Sequence, residues 1–394
     1  MKIIAVNAGS SSLKFQLLDI PSETEIVSGI VERIGIKNSV IKIKLNGEKI
    51  VEELDIPDHG IAVELVLSKL VDLNIVKDIN EIDGVGHRVV HGGEKFSDSV
   101  VIDDEVIKAI EVVSDLAPLH NPANLTGIRA FKKALPHING VAVFDTAFHQ
   151  TMEKEVFLYG VPYEWYTKYG VRKYGFHGTS HKYVANRAAE LMGMKVEDAN
   201  VIVLHIGNGA SICAVKGGKS VDTTMGLTPL AGIMMGTRSG DIDPAIVEFI
   251  CDKENKTVKE VISDLNKKSG YIGISQNSSD SRDLWTATHA GDKQSLLAIR
   301  KQVKMICDYI AAYYVTMGRV DAICFTAGVG ENAIFTRQLV AKRLAPLGVE
   351  IDEDRNFVRG VERLISTDES KIKLYLLPTN EEVVIARDTL RLSK

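Results

Sequence analysis

An apolar run, a block of small polar residues and a second largely apolar run make up the first stretch of the chain, MKIIAVNAGSSSLKFQLLD, Met1 to Asp19. The pattern predicts a strand over Ile3–Val6, a tight polar turn at Asn7–Ser12 and a return strand over Leu13–Leu17. Strands are then expected at Glu25–Ile34 and Ser39–Leu45, with a turn at Asn46-Gly47. Ile61, Leu65, Val66, Leu70 and Leu73 recur at helical spacing, predicting a helix over Gly60–Leu73. A strand over Asp83–Val90 runs into His91-Gly92-Gly93. A helix over Asp104–Leu116 is broken at Leu119-His120-Asn121-Pro122, and the proline starts the next helix, Pro122–Lys133. A buried strand, Gly140–Phe144, ends at Asp145. Antiparallel strands followed by alternating helix and strand predict a mixed sheet flanked by helices.

The stretch His149–Arg172 is aromatic and irregular, as a crossing between domains would be. A helix over Thr179–Met192 follows the turn Gly175–Gly178. The segment Asn200–Thr224 then repeats the opening. Val201–Leu204 matches Ile3–Val6, His205–Gly209 matches Asn7–Ser11, and Ser211–Val215 matches Leu13–Leu17. The alternation resumes through Asp243–Cys251, Leu296–Met317 and the strand Ala322–Thr326. A glycine turn, Ala327–Asn332, a strand at Leu374–Leu377 and a last helix starting at Thr379–Glu382 complete the chain. Such a duplication predicts two copies of one α/β unit. Two matching turns would face a nucleotide across a cleft, and closure of the lobes would assemble the site.

Length and charge narrow the function. The 394 residues, 45% hydrophobic and 25% charged, suffice for two domains with full cores. The net charge of −5 offers no global basic field for nucleic acid or an anionic membrane. Cys213, Cys251, Cys307 and Cys324 are widely spaced and form no CxxC pair, which fits a reducing cytoplasm. Met1 leads directly into a strand, without the basic region and apolar core of a signal peptide. No apolar run reaches the ~18 residues of a membrane span.

Candidate chemistry lies at the turns. Asn7, Gly9, Ser10, Ser11, Ser12 and Lys14 offer hydroxyls, an amide and one cation around a flexible glycine, which suits a polyphosphate. A plain hairpin is the competing explanation. The glycine turn after Ala322–Thr326 aims backbone N–H groups at an anion. There is no P-loop, because Gly218-Lys219-Ser220 has Cys213 where the earlier glycine belongs. Gly207-Asn208-Gly209 and Gly328-Val329-Gly330 both lack the third glycine of a dinucleotide fingerprint. Lys14, Arg88, His177, Arg238 and Arg282 lie in turn contexts and form a candidate anion-binding set, although each alone could be a surface or ion-paired residue. Glu381 falls in the first turn of the last helix, where a capping role would also account for it. Phosphoryl transfer needs mainly positioning, charge neutralisation and a metal across the phosphates.

Eight motifs together carry a resemblance: NAGSSSLKF (7–15), GHRVVHGG (86–93), FDTAFH (144–149), YGFHGTSH (174–181), HIGNGAS (205–211), MGTRSGDIDP (235–244), FTAGVGEN (325–332) and NEE (380–382). The chain resembles the acetate kinases from end to end. The resemblance implies duplicated actin-like (ribonuclease-H-like) ATPase lobes with mixed five-stranded sheets. The first spans 1–148, completed by the helix 381–394, and the second, which binds nucleotide, spans 149–380. It implies reversible transfer from ATP to acetate, giving acetyl phosphate and ADP, with Mg²⁺ or with Mn²⁺ in its place. It implies Asn7 and Glu381 at the metal and Arg88 on the substrate carboxylate. His177 and Arg238 become transition-state stabilisers, and Asp145 an active-site acid or base. It places Lys14, Ser10, Ser12, His205, Ile206, Gly207, Asn208, Gly209, Asp280, Ser281, Arg282, Gly328, Val329, Gly330, Glu331 and Asn332 at ATP. Val90, Leu119, Phe176 and Pro229 become the pocket for the acyl methyl group. A cytoplasmic homodimer is implied, and propionate is an alternative acceptor. An acetate carboxylate is already ionised, so the attack needs no base, and Asp145 is expected to orient an arginine or a metal-bound water. A sugar kinase, with Asp145 as base, and an ATP-driven switch are the rival readings.

Overall fold

The computed structural model describes residues 1–118 and 120–393. The chain divides into two compact units, one made of Met1–Gln150 with the segment from Asn380 onward, the other of Thr151–Thr379.

The N-terminal unit holds β1 (Lys2–Gly9), β2 (Ser12–Asp19), β3 (Thr24–Glu32), β4 (Ser39–Leu45), β5 (Glu48–Leu54), β6 (Ile82–Val89), β7 (Val100–Val101) and β8 (Val141–Phe144). They form one sheet in the order β5-β4-β3-β2-β1-β6-β8-β7. β1, β2 and β3 pair antiparallel, whereas β1 with β6 and β6 with β8 pair parallel. The first strand is longer than its pattern predicts. Asn7, Ala8 and Gly9 pair with Lys14, Leu13 and Ser12, which leaves only Ser10 and Ser11 in the loop.

β1 is buried on both faces. Ile4, Val6 and Ala8 pack with Ala62, Val63 and Val66 of the helix His59–Asp72 and with Phe131 of the helix Asn121–Ala134. Ile3 and Ala5 pack with Val383, Ile385 and Ala386 of the helix Glu381–Leu392. Two glycines on β6 admit that last helix. A Cβ at Gly84 would lie 2.8 Å from the Thr389 methyl, and one at Gly86 would collide with Ile385 and Thr389. Close docking of this helix carries Glu381 and Glu382, its first turn, to the end of the sheet where Arg88 stands. Asn380, not Glu381, caps the helix by accepting from the Val383 N–H at 3.1 Å, so the carboxylate of Glu381 is not spent on capping.

The second unit holds β9 (Asn200–Ile206), β10 (Ala210–Lys216), β11 (Lys219–Thr223), β12 (Ala322–Thr326), β13 (Arg363–Leu364) and β14 (Lys373–Leu376), in the order β11-β10-β9-β12-β14-β13. Its strands β11-β10-β9-β12-β14 repeat the order and sense of β3-β2-β1-β6-β8, two antiparallel pairings followed by two parallel ones. This is the mixed five-stranded core expected of each copy. The sheets are wider than five because β4, β5 and β7 extend one and β13 the other. The irregular stretch after His149 contains two short helices, Lys154–Phe157 and Tyr163–Tyr169. The glycine turn after β12 is itself a short helix, Ala327–Asn332. Among the described residues no helix is long and apolar enough to cross a membrane, and all four cysteines are free.

Candidate active site

In the N-terminal unit, β6 and β8 end side by side and present Arg88 and Asp145. The Asp145 N–H donates to the Val89 carbonyl at 3.0 Å, which aligns the two strand ends. The Arg88 fork then meets the Asp145 carboxylate with both arms, Nε to Oδ1 at 2.9 Å and Nη2 to Oδ2 at 2.6 Å. Asp145 is 1% exposed. Burial opposes the charge on Arg88, but Asp145, then Glu381 and Glu382, outweigh it and hold the guanidinium above its usual pKa.

Glu381 Oε2 lies 3.9 Å from Arg88 Nε. Burial, reinforced by Asp145 and Glu382 and opposed by Arg88 and Lys14, pushes its carboxyl up to about 6. Lys14 Nζ bonds Glu382 Oε1 at 2.8 Å. Asn7, Lys14, Arg88, Glu381 and Glu382 together line a cavity of about 20 Å³, room for about one water or one small ion. A cation here would relieve the unfavourable charge on Glu381. No group of three or more His, Cys, Asp or Glu forms a metal cage among the described residues. The amide oxygen of Asn7 and the carboxylate of Glu381 are oxygen donors, which suit a hard ion such as Mg²⁺.

In the second unit, the loops after β9 and β11 carry Gly209 and Arg238 to His177. His177 sits at φ +57° before the helix Gly178–Leu191. Its Nδ1 meets the Ser211 hydroxyl at 2.9 Å, and His181 Nε2 meets the same oxygen at 2.7 Å. Its ring stacks on His205 with centroids 4.1 Å apart. Arg238 donates to the Pro229 carbonyl at 3.3 Å rather than to a carboxylate, and burial pulls its pKa down. A Cβ at Gly209 would lie 3.4 Å from Arg238 Nη1 and 3.8 Å from His177 Nε2. Glycine there keeps open the space that the cation and the imidazole share. Among the described residues no acid partner reaches Arg238, and such a partly buried guanidinium is an available counter-charge for an anion.

Beside these residues a cavity of about 830 Å³ opens between the β9–β10 turn, the helix Ser281–His289 and the helix after β12, within the range of small-molecule and cofactor sites. At one side lie Gly207, Asn208, Gly236 and Gly328. At the other, Trp285, His289 and Phe335 form an aromatic wall with ring centroids 5.0–5.9 Å apart. The fully buried Arg337 ties the helix after β12 to the segment 356–358, donating to the carbonyls of Gly330, Glu331, Asn356 and Val358.

The acetokinase family model matches residues 2–387. Acetate kinase of Bacillus subtilis (strain 168) is 58% identical over 393 residues, covering all of both chains. The crystal structure of Porphyromonas gingivalis acetate kinase superposes with a TM-score of 0.97 at 47% identity, covering both chains completely. The chain belongs to the acetokinase family. A propionate kinase from Francisella tularensis has a TM-score of 0.93 at 42% identity, over 99% of both chains. Phosphorylation of acetate by ATP is the known reaction of the acetokinase family.

The residues expected from the acetokinase motifs fall into distinct places. Asn7, Lys14, Arg88, Asp145 and Glu381 converge in the N-terminal unit. Ser10 lies exposed in the β1–β2 loop, and Ser12 is the first residue of β2. Gly207, Asn208, Asp280, Ser281, Arg282, Gly328, Val329 and Asn332 line the large cavity. His205, Ile206, Gly209, Gly330 and Glu331 do not. Ile206 is fully buried in β9, and His205 holds Ser180 at 2.8 Å instead. Val90 is buried in the N-terminal unit and Phe176 in the second, where Pro229 supplies the carbonyl to Arg238. Leu119 lies outside the described residues. Trp285, His289, Phe335 and Arg359 were not anticipated. The first two are three and seven positions beyond Arg282 on one helix, so helical spacing from that arginine was the available signal.

Proposed function

We propose that the chain phosphorylates acetate by direct in-line transfer. An acetate oxygen attacks the γ-phosphorus of ATP, and the P–O bond to the β-phosphate breaks, giving acetyl phosphate and ADP in a reversible step. No proton moves, because the acceptor is ionised at neutral pH. The observation that carries this reading is the Arg88 fork. A guanidinium at a strand end suits a small carboxylate, and with Nε and Nη2 held by Asp145 it would reach one through Nη1 and the second Nη2 hydrogen. Asp145 supports it as a positioning residue, since both its oxygens accept from Arg88 and hold the guanidinium in place. A sugar kinase would instead need that carboxylate as a base for its hydroxyl acceptor.

In this reading Arg238 and His177 stabilise charge on the transferred group. The 830 Å³ cavity takes the nucleotide, its base against Trp285 and Phe335. Asn7 and Glu381 would hold Mg²⁺, or Mn²⁺ in its place, which neutralises phosphate charge when bound. A cytoplasmic homodimer belongs to the same reading. The exposed Tyr163, Trp165 and Tyr169 of one short helix offer a surface for it.

Hydroxylamine tests the reaction. With ATP, Mg²⁺ and acetate the product should be trapped as a hydroxamate, and kcat/KM should fall from acetate to butyrate. Propionate should fall between them, since one methylene is worth about 1–3 kcal/mol in an apolar pocket. ATP hydrolysis without hydroxamate would overturn the proposal. Glu381→Gln should raise the half-saturating Mg²⁺ concentration about tenfold or more, through loss of an anionic ligand. An unchanged Mg²⁺ titration would remove Glu381 from the metal site.

A further inference from the structure

We infer that Asn124 is a positioning residue whose side-chain amide ties the strand end carrying Asn7 to the strand end carrying Arg88. This rests on the reading of Arg88 as the carboxylate ligand and Asn7 as a metal ligand.

β1 and β6 pair in parallel only as far as Val6 with His87. β1 nevertheless runs on to Gly9 and β6 to Val89. Asn124 is 3% exposed and lies in the fork between them. Its Nδ2 donates to the Ala8 carbonyl at 2.8 Å, and its Oδ1 accepts from the Val90 N–H at 3.1 Å. The partners dictate this orientation. A backbone carbonyl only accepts and a backbone N–H only donates, so the flipped amide would lose both bonds. One side chain thus carries the link between the strands past the point where their own ladder stops.

The helix Asn121–Ala134 leaves this amide little freedom. One turn before Asn124, Asn121 accepts from the His91 N–H at 3.1 Å and donates to the His91 carbonyl at 2.9 Å. One turn after it, a Cβ at Gly127 would lie 2.7 Å from the Ala8 Cβ, so the helix sits as close to β1 as glycine allows. Ala8 adjoins Asn7, and Val90 is two residues from Arg88. The two ends of the Asn124 amide therefore lead to different ligands, the metal-bound nucleotide and the carboxylate.

The consequence is a split that a generally structural residue would not produce. Asn124→Ala removes both bonds and should raise the KM for acetate and the KM for Mg–ATP, each about tenfold, the cost of one buried hydrogen bond. Asn124→Asp keeps an acceptor for Val90 but has no donor for Ala8. It should bring the acetate KM back to within about twofold of the parent enzyme while the Mg–ATP KM stays raised. Equal rises in both variants, or rises below about twofold in Asn124→Ala, would overturn the inference. Amide hydrogen exchange on the parent enzyme provides a test without any variant. Val90 should be protected like a ladder amide, and exchange at the rate of an exposed loop would overturn the link. If Arg88→Ala leaves the acetate KM unchanged, the carboxylate reading has failed, whereas Val90 protection reports on the link itself.

Discussion

Arg88→Ala should lower kcat/KM for acetate by about 10³-fold, mainly through the acetate KM, while the KM for ATP changes little. The magnitude follows from loss of a charged, hydrogen-bonded contact to a carboxylate, worth about 2–5 kcal/mol when one partner is removed. A second effect accompanies it. Asp145 is 1% exposed and accepts from Arg88 through both oxygens, so the variant leaves a buried carboxylate unpaired, at a cost of about 3–5 kcal/mol in stability. The two effects separate in the double variant Arg88→Ala with Asp145→Asn. Thermal stability should recover because the orphaned charge is gone, and acetate affinity should not. Arg88→Lys should restore only part of either, since a single ammonium cannot satisfy both oxygens of Asp145. Steady-state kinetics with each substrate varied, alongside thermal unfolding, read both quantities. An unchanged acetate KM would remove Arg88 from the carboxylate site.

Arg238→Ala should behave differently. It is expected to lower kcat by about 10²–10³-fold with both KM values held within a few-fold, as when one preorganised donor to a developing charge is removed. Stability should scarcely fall. Arg238 donates to the Pro229 carbonyl and burial disfavours its charge, so its removal orphans no carboxylate. Gly209→Ala should act in the same direction, because the added methyl would sit 3.4 Å from Arg238 Nη1 and 3.8 Å from His177 Nε2. A raised acetate KM with preserved kcat in Arg238→Ala would make that arginine a ground-state ligand instead.

The contrast between the two arginines was not legible in the chain. Both stand next to glycines, in GHRVVHGG and MGTRSGDIDP, and both read as anion-binding candidates. Their difference is a matter of partners. Asp145 is 57 residues from Arg88 and becomes its counter-ion only because β6 and β8 are neighbours in the sheet. The aromatic wall has the same character. Trp285 was within reach of helical spacing from Arg282, but Phe335 and Arg359 belong to other segments with no shared local pattern.

By itself, the sequence determined the elements and their duplication. Period-2 alternation marks a strand with one buried face, whereas β1 and β9, buried on both faces, announce themselves as continuous apolar runs. The glycine turns were equally readable, because close approach to a ligand or a neighbouring backbone leaves only glycine. Tertiary structure decided how far each strand extends, since Asn7 and Ala8 join β1 only by pairing with Lys14 and Leu13. It also decided which charges meet. Gly84 and Gly86 let the last helix dock closely enough for Glu381 to come within 3.9 Å of Arg88. Local pattern follows from the chemistry of adjacent residues, whereas pairing, burial and the pKa of a buried carboxyl depend on residues hundreds of positions apart. Those become neighbours only when the sheet and its helices close.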